Sequence, residues 1–437
     1  MSLKRQSHDR LTFWLGCAAI AIPLVGSAWF VWAHAVDVPF WDEWESVLTL
    51  QRWLHGDLTF HELFAQHNEH RIPVPNLLML LIDRATAMNM RARMAVSWSL
   101  LVATLGLLFL EHRRVHPEGG ALLLRFAPVA WMVLSWRQWE NLLWGWQITL
   151  CSCVFFLVAA LCALTRARSL GFLLLAVAAG ACASFSFSNG LLIWPIGLFV
   201  LLAERPRLPA RAWVIWTICG AGVFASYFIG YVKPVHHPPL SYFALHPGPA
   251  LRHFVTSLGS PLAPRLLPAL FAGWFVVALS VTALVRVLRG RLPWRSPLPA
   301  ALLLFCFASS ALITLGRAGF GPGQALASRY STFGGLGLVG LYLLLTDGTA
   351  RLARRLTVVL LVVIAAAQPG IDWSALREAR AGAGERRKAG VSLAHFREEP
   401  DSAFGVLYPL PALVRERAVF LESNRLSVFR NTAARPP

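Results

Sequence analysis

Residues 11–35 read "LTFWLGCAAIAIPLVGSAWFVWAHA", a stretch without one Asp, Glu, Lys or Arg. A run this long and this apolar leaves few folding solutions. About 20 apolar residues in a helix match the hydrocarbon thickness of a bilayer. A helix also closes its own backbone hydrogen bonds where no water can do so. Comparable runs recur near residues 92–111, 142–164, 211–231, 266–288 and 298–315. Only 14% of the chain is charged, against about 25% in soluble domains, and its mean hydropathy is +0.56. The pattern predicts an all-α polytopic membrane protein with about 11 transmembrane helices.

The formal charge of +18 does not point to nucleic acid, because the cations sit in short bridges between apolar runs. Lys4, Arg5 and Arg10 form one bridge. Others hold Arg113 and Arg114; Arg166 and Arg168; Arg205, Arg207 and Arg211; Arg286, Arg289, Arg291 and Arg295; and Arg351, Arg354 and Arg355. Every second loop is basic, as expected of cytoplasmic loops. Residues 1–10 are then a cytoplasmic N-terminus. The first run is too long for the core of a signal peptide and further spans follow it, so it reads as an uncleaved helix. The seven cysteines lie inside apolar segments without zinc-like spacing, which suits buried small hydrophobes.

With basic loops inside, the spans fall at about 11–35, 92–111, 121–135, 142–164, 169–187, 190–203, 211–231, 266–288, 298–315, 332–347 and 356–369. Residues 73–90, apolar but broken by Asp83 and Arg84, read as a helix at the outer interface. The membrane domain covers 11–370 and its outer loop 36–91. The polar tail, 371–437, falls outside with eleven spans; a ten-span count would place it inside. No internal repeat of the transporter kind is visible.

The outer loop is where the acids collect. Asp37, Asp42, Glu43, Glu45, Asp57, Glu62 and Glu69 are seven of only 22 acidic residues in the chain, and His55, His61, His67 and His70 lie among them. Other outer-face connections carry Glu140 and Asn141 in "RQWENLLWG", Lys233, His236 and His237 in a proline-rich loop, and Arg317 and Arg329 near helix ends. Carboxylates facing permanent cations suit a transfer reaction on an anionic lipid head group. A carboxylate can deprotonate an attacking hydroxyl while arginines hold a phosphate through paired N–H groups.

The long acidic loop directly after the first span, with its "DE" pair near the membrane, resembles that of the C-type (GT-C) integral-membrane glycosyltransferases. That superfamily includes protein O-mannosyltransferases and the aminoarabinose and arabinofuranosyl transferases. "HNEHRIPVPNLLMLLIDRATAMNMRAR" is similar to its passage from loop to second span, although Pro73-Val74-Pro75-Asn76 stands where Pro-Pro-Leu is common. "QWENLLWG", "FSFSNGLLIWPIGLFVLL" and "ASRYSTF" extend the likeness over about residues 11–370, and the set also resembles a group of bacterial membrane proteins.

The resemblance implies a hexosyl or pentosyl transferase in a bacterial inner membrane with its active site facing the periplasm. It would move a sugar from a polyprenyl-phosphate donor to a lipid, glycan or protein acceptor. Asp42 or Glu43 would be the base of an inverting attack. His67, Glu69, His70, Arg71, Glu140, Lys233, Arg317 and Arg329 would bind sugar or phosphate.

Blander readings stand beside these. Asp42 and Glu43 between Trp41 and Trp44 also fit a solvated interfacial loop. His67 and His70, at i and i+3, could share a helical face and hold a divalent cation, which some relatives need, or serve a structural network. Glu140 could pair with Arg137. Arg329, Arg317 and Lys233 could meet lipid head groups. The "SFSFSN" run suits hydrogen bonding between helices. A lipid-linked-sugar flippase would need ionisable residues in mid-span, and few are present. An envelope-assembly subunit would not need Asp42. A hydrolase lacks its G-x-S-x-G or H-E-x-x-H.

Overall fold

The structure is a computed structural model that describes residues 3–117, 121–204, 206–235, 237–239, 241–293, 295–348 and 351–430, with side chains from Arg10 onward. His236 and Arg205 lie outside the described residues. The described chain is all-α apart from one two-stranded hairpin. Helix α1 (Leu3–His34) leads into the acidic loop. That loop contains α2 (Glu43–His55), α3 (Phe60–Leu63), the hairpin strands β1 (Gln66–His67) and β2 (His70–Arg71), and α4 (Pro73–Thr86). Then follow α5 (Met90–Val115), α6 (Leu122–Val133), α7 (Trp139–Leu143), α8 (Ile148–Leu164), α9 (Leu170–Ser184), α10 (Ile193–Ala203) and α11 (Ala210–Phe228). The second half holds α12 (Ser241–Leu245), α13 (Pro247–Gly259), α14 (Leu266–Leu288), α15 (Leu298–Arg317), α16 (Ser331–Thr346), α17 (Arg351–Ala394) and α18 (Pro411–Ser423).

Six helices among the described residues are long and apolar enough to cross a membrane: Arg10–His34, Met90–Val115, Gly145–Leu164, Leu266–Leu288, Leu298–Phe320 and Arg351–Ala394. By length and composition the chain is therefore a multi-pass membrane protein. The other five of the eleven expected spans correspond to α6, α9, α10, α11 and α16, which are shorter or less apolar. Polar side chains mark the ends of two of them. Past α6, Ser135 accepts the Arg137 N–H at 3.2 Å and starts a new turn. At the end of α9, the Ser184 and Ser186 hydroxyls donate back to the Gly180 and Cys182 carbonyls. Interrupted helices are tolerated at membrane depth only where protein buries them, and Ser184 and Ser186 are fully buried.

Helix α8 lies at the centre, with Cys151, Cys153 and Cys162 inside as small apolar residues. Lipid tails are as apolar as leucine, so packing rather than water exclusion must hold such helices together. The α15–α16 contact shows how. A Cβ on Gly337 would fall 2.5 Å from the Cys306 Cβ, and one on Gly340 would fall 2.4 Å from the Pro299 carbonyl oxygen. Only glycine allows that approach.

At one end of the bundle, basic connections gather around buried Glu111. Its carboxylate accepts from Arg114 (2.5 Å), Arg166 (3.1 Å) and Ser296 (3.3 Å), and His116 lies 2.9 Å from Asp347 nearby. The acidic loop and the α6–α7, α9–α10, α11–α13 and α15–α16 connections gather at the other end. The interface helix expected over 73–90 is α4, and Asp83 turns inward rather than toward solvent. It accepts from Arg93 Nε at 2.8 Å in a fully buried pair.

The domain boundary read at 370 falls inside one helix. Helix α17 runs 44 residues, through Pro369, from the spanning region into the tail. The tail then folds back onto the acidic loop.

Candidate functional site

The hairpin β1–β2 sets the floor of a cleft. His67 and His70 are paired across it, and Asn68 makes the turn at φ 50°, a conformation asparagine tolerates better than most residues. Arg71 anchors the hairpin to α11. Its buried guanidinium donates to the Phe64 carbonyl (2.9 Å), the Tyr227 carbonyl (2.7 Å) and the Ile229 carbonyl. The Tyr227 hydroxyl donates to the Glu69 carbonyl at 2.8 Å, and Gln66 exchanges two hydrogen bonds with Val232. Arg71 thus braces the hairpin and does not line the cleft above it.

Above the hairpin is a cleft of about 470 Å³ lined by Asp42, His67, Glu69, His70, Glu140, Arg317 and Arg329 together with Trp41, Trp144, Trp146, Gln324 and Tyr330. Seven of the ten expected site residues meet here. Glu43, Arg71 and Lys233 do not. Glu43, next to Asp42, is fully buried beneath the loop, and its Oε2 accepts the Phe40 N–H at 2.8 Å. Burial pushes its carboxyl up to about 7 against the pull of Arg93. Lys233 donates to the Pro238 carbonyl at 2.7 Å and lines a neighbouring groove.

Two ion pairs cross the cleft. Arg317 donates to Glu69 at 2.5 Å, and His237 and His70 lie 3.5 and 3.7 Å from the same carboxylate. Burial alone would raise the Glu69 carboxyl, but the charges of His70 and Arg317 and its hydrogen bonds outweigh it and hold the group at about 2. Arg329 donates to Glu140 at 2.9 Å, while the Ser328 hydroxyl and the Arg329 N–H satisfy the other Glu140 oxygen. The pairing of Glu140 with Arg137 is not observed. Arg137 donates instead to the Ser260 and Leu326 carbonyls at 2.8 and 2.7 Å.

Asp42 differs from Glu69 and Glu140. It is the cleft carboxylate that no arginine neutralises among the described residues; its nearest cationic candidate is His67 Nε2 at 3.8 Å. A carboxylate already in a tight arginine pair is a poor proton acceptor, and Asp42 is the cleft carboxylate outside such a pair. His70 has a fixed tautomer. The Ser188 N–H donates to its Nδ1 at 3.1 Å, leaving the proton on Nε2. Burial holds the ring down at about 4, so it is neutral at pH 7 and presents an N–H donor.

The expected helical face for His67 and His70 is a hairpin instead, and the donors do not suit a divalent cation. The lone pair of His70 Nδ1 is engaged by Ser188, and the Glu69 carboxylate is held by Arg317. No group of three or more His, Cys, Asp or Glu among the described residues is arranged to hold a metal ion.

A second, apolar groove of about 490 Å³ opens beside the cleft, between Phe224, Phe228 and Tyr231 of the α11 end and Leu312, Ile313 and Leu315 of α15. Glu69, Phe187, Arg317 and Tyr330 line both spaces. The Glu69–Arg317 pair therefore stands where a polar chamber meets an apolar one. Sequence reasoning missed Trp144, Trp146, Gln324 and Tyr330; the tryptophan-rich "WENLLWGWQ" was the signal for the first two. No protein-family model, no curated protein and no solved structure matches this chain.

Proposed function

We propose that this chain is a C-type integral-membrane glycosyltransferase. It moves a sugar from a polyprenyl-phosphate donor to a lipid, glycan or protein acceptor at the periplasmic face of a bacterial inner membrane. One observation carries the reading. A polar cleft with an unneutralised carboxylate opens, through an arginine, onto an apolar groove. That shape and chemistry fit one molecule with a hydrocarbon tail, a phosphate and a sugar, in that order.

In this reading the isoprenoid lies between α11 and α15, the phosphate meets Arg317, and the sugar rests among Trp41, Trp144 and Trp146. The acceptor hydroxyl oxygen attacks the anomeric carbon as Asp42 takes its proton. The bond from that carbon to the phosphate oxygen breaks, and the electron pair leaves with polyprenyl phosphate. Arg317 and the Nε2–H of His70 face the charge gained by the leaving group. Attack opposite the leaving group inverts the anomeric centre. A flippase would need a polar path to the opposite end, where the cations are packed around Glu111.

The test is a panel of polyprenyl-phosphate sugars offered to the purified protein in liposomes with a membrane extract as acceptor source. The expected outcome is consumption of one donor with matching release of polyprenyl phosphate, read by mass spectrometry. Consumption of none, with no retention on immobilised polyprenyl phosphate, overturns the reading.

A further inference from the structure

The residue before Asp42 is strained. Trp41 has φ 49°, in the left-handed region where a bulky side chain is disfavoured. Such a conformation persists only where surrounding bonds over-determine it, and here they come from three directions. From below, the Glu43 carboxylate accepts the Phe40 N–H at 2.8 Å. From the side, Trp144 Nε1 donates to the Phe40 carbonyl at 3.1 Å. From above, the Trp41 N–H donates to the Leu407 carbonyl at 2.7 Å.

That last bond joins residues far apart in the chain, and the same tail segment grips the next turn of α2. The Tyr408 hydroxyl donates to Glu45 at 2.9 Å. Arg417, largely buried, donates to the Trp44 carbonyl and to Glu45 at 3.3 Å. Phe404 and Leu407 are fully buried under the same segment. On α17, the Arg386 guanidinium lies over the Phe40 ring at 5.3 Å and donates to the Leu143 carbonyl.

We infer that tail residues 404–417 are a clamp that aims Asp42 into the cleft by holding the strained Trp41 turn, with Tyr408, Arg417 and Glu43 as positioning residues. The clamp itself is independent of the transferase reading; its consequence for turnover rests on that reading. Neither Tyr408 nor Arg417 lines the cleft, so neither has a direct part in binding donor.

The experiment compares the wild-type chain with the double variant Tyr408→Phe/Arg417→Met and the single variant Arg417→Lys in the same liposomes. Hydrogen–deuterium exchange of the peptide spanning residues 38–48 reads the clamp directly. Exchange there should rise by about tenfold in the double variant, while peptides of α8 stay as protected as in wild type. Turnover should fall by about tenfold while donor KM rises by less, because Trp144, Trp146 and Arg317 still hold the donor when the Trp41 turn loosens, and Arg417→Lys should recover part of the loss. Unchanged exchange at 38–48 overturns the clamp. So does deprotection of α8 together with the loop, which would make the tail a general stabiliser. Raised exchange with unchanged turnover overturns the positioning role. A wild type that consumes no donor counts against the transferase reading, and the exchange result still decides the clamp.

Discussion

Glu43 gives the chain a pH dependence of stability that can be worked out in sign and size. It is fully buried on α2. The charged groups that face it are Arg93 on α5, Asp83 on α4 and Arg386 on α17. Burial raises its carboxyl, Asp83 adds to the rise, and Arg93, Arg386 and the Phe40 N–H oppose it, leaving it at about 7 against an ordinary 4.5. The folded state therefore holds this proton more tightly than the unfolded chain. The resulting stability is fully present below pH 4.5 and is lost as pH rises through 7. At 1.36 kcal/mol per unit, the loss is about 3 kcal/mol across that window. Glu43→Gln keeps an acceptor for the Phe40 N–H and has nothing to titrate. Unfolding in mixed micelles at a series of pH values between 5 and 8 should show wild type losing stability relative to the variant, by most of that amount. Other groups titrate in both proteins and cancel in the difference. A difference that stays flat with pH refutes the reasoning.

Two further outcomes follow from single contacts. Arg317→Met leaves the Glu69 carboxylate, about a fifth exposed, without its arginine. The variant should lose about 2 kcal/mol, discounted for solvent from the cost of breaking a fully buried pair. Its donor KM should rise and its turnover at saturation should fall, because Arg317 meets the phosphate and also faces the charge of the leaving group; unchanged KM and turnover would remove Arg317 from the donor site. Gly145→Ala places a Cβ 2.6 Å from Glu43 Oε1 and 2.9 Å from the Arg93 Cβ. Overpacking there should cost about 2 kcal/mol and lower the Tm in detergent, and an unshifted Tm would contradict the packing described beneath the loop.

The sequence made the long spans legible because length and apolarity are the physical requirement itself. Helices α1, α5, α8, α14, α15 and α17 lie where the runs predicted. The other five expected spans fall on α6, α9, α10, α11 and α16, whose shorter or less apolar runs carry a weaker signal of the same kind. Asp42 and Glu43 were inseparable in the sequence, being adjacent and chemically alike. The turn at Trp41 separates them by sending one into the cleft and the other beneath it. Arg71 read like Arg317, a cation in an outer connection. Its carbonyl partners Tyr227 and Ile229 lie more than 150 positions away, a pairing that no local pattern encodes. The grip of Leu407 and Arg417 on the acidic loop was hidden for the same reason.

The central claim is that Asp42 is the base of a sugar transfer from a polyprenyl-phosphate donor. Asp42→Asn keeps the shape of the side chain and removes its basicity. The most direct measurement is release of polyprenyl phosphate by wild type and by this variant, alongside donor binding by each. The account predicts steady release by wild type and a fall of about a hundredfold or more in the variant, with donor binding retained. Equal release by the two proteins would contradict it.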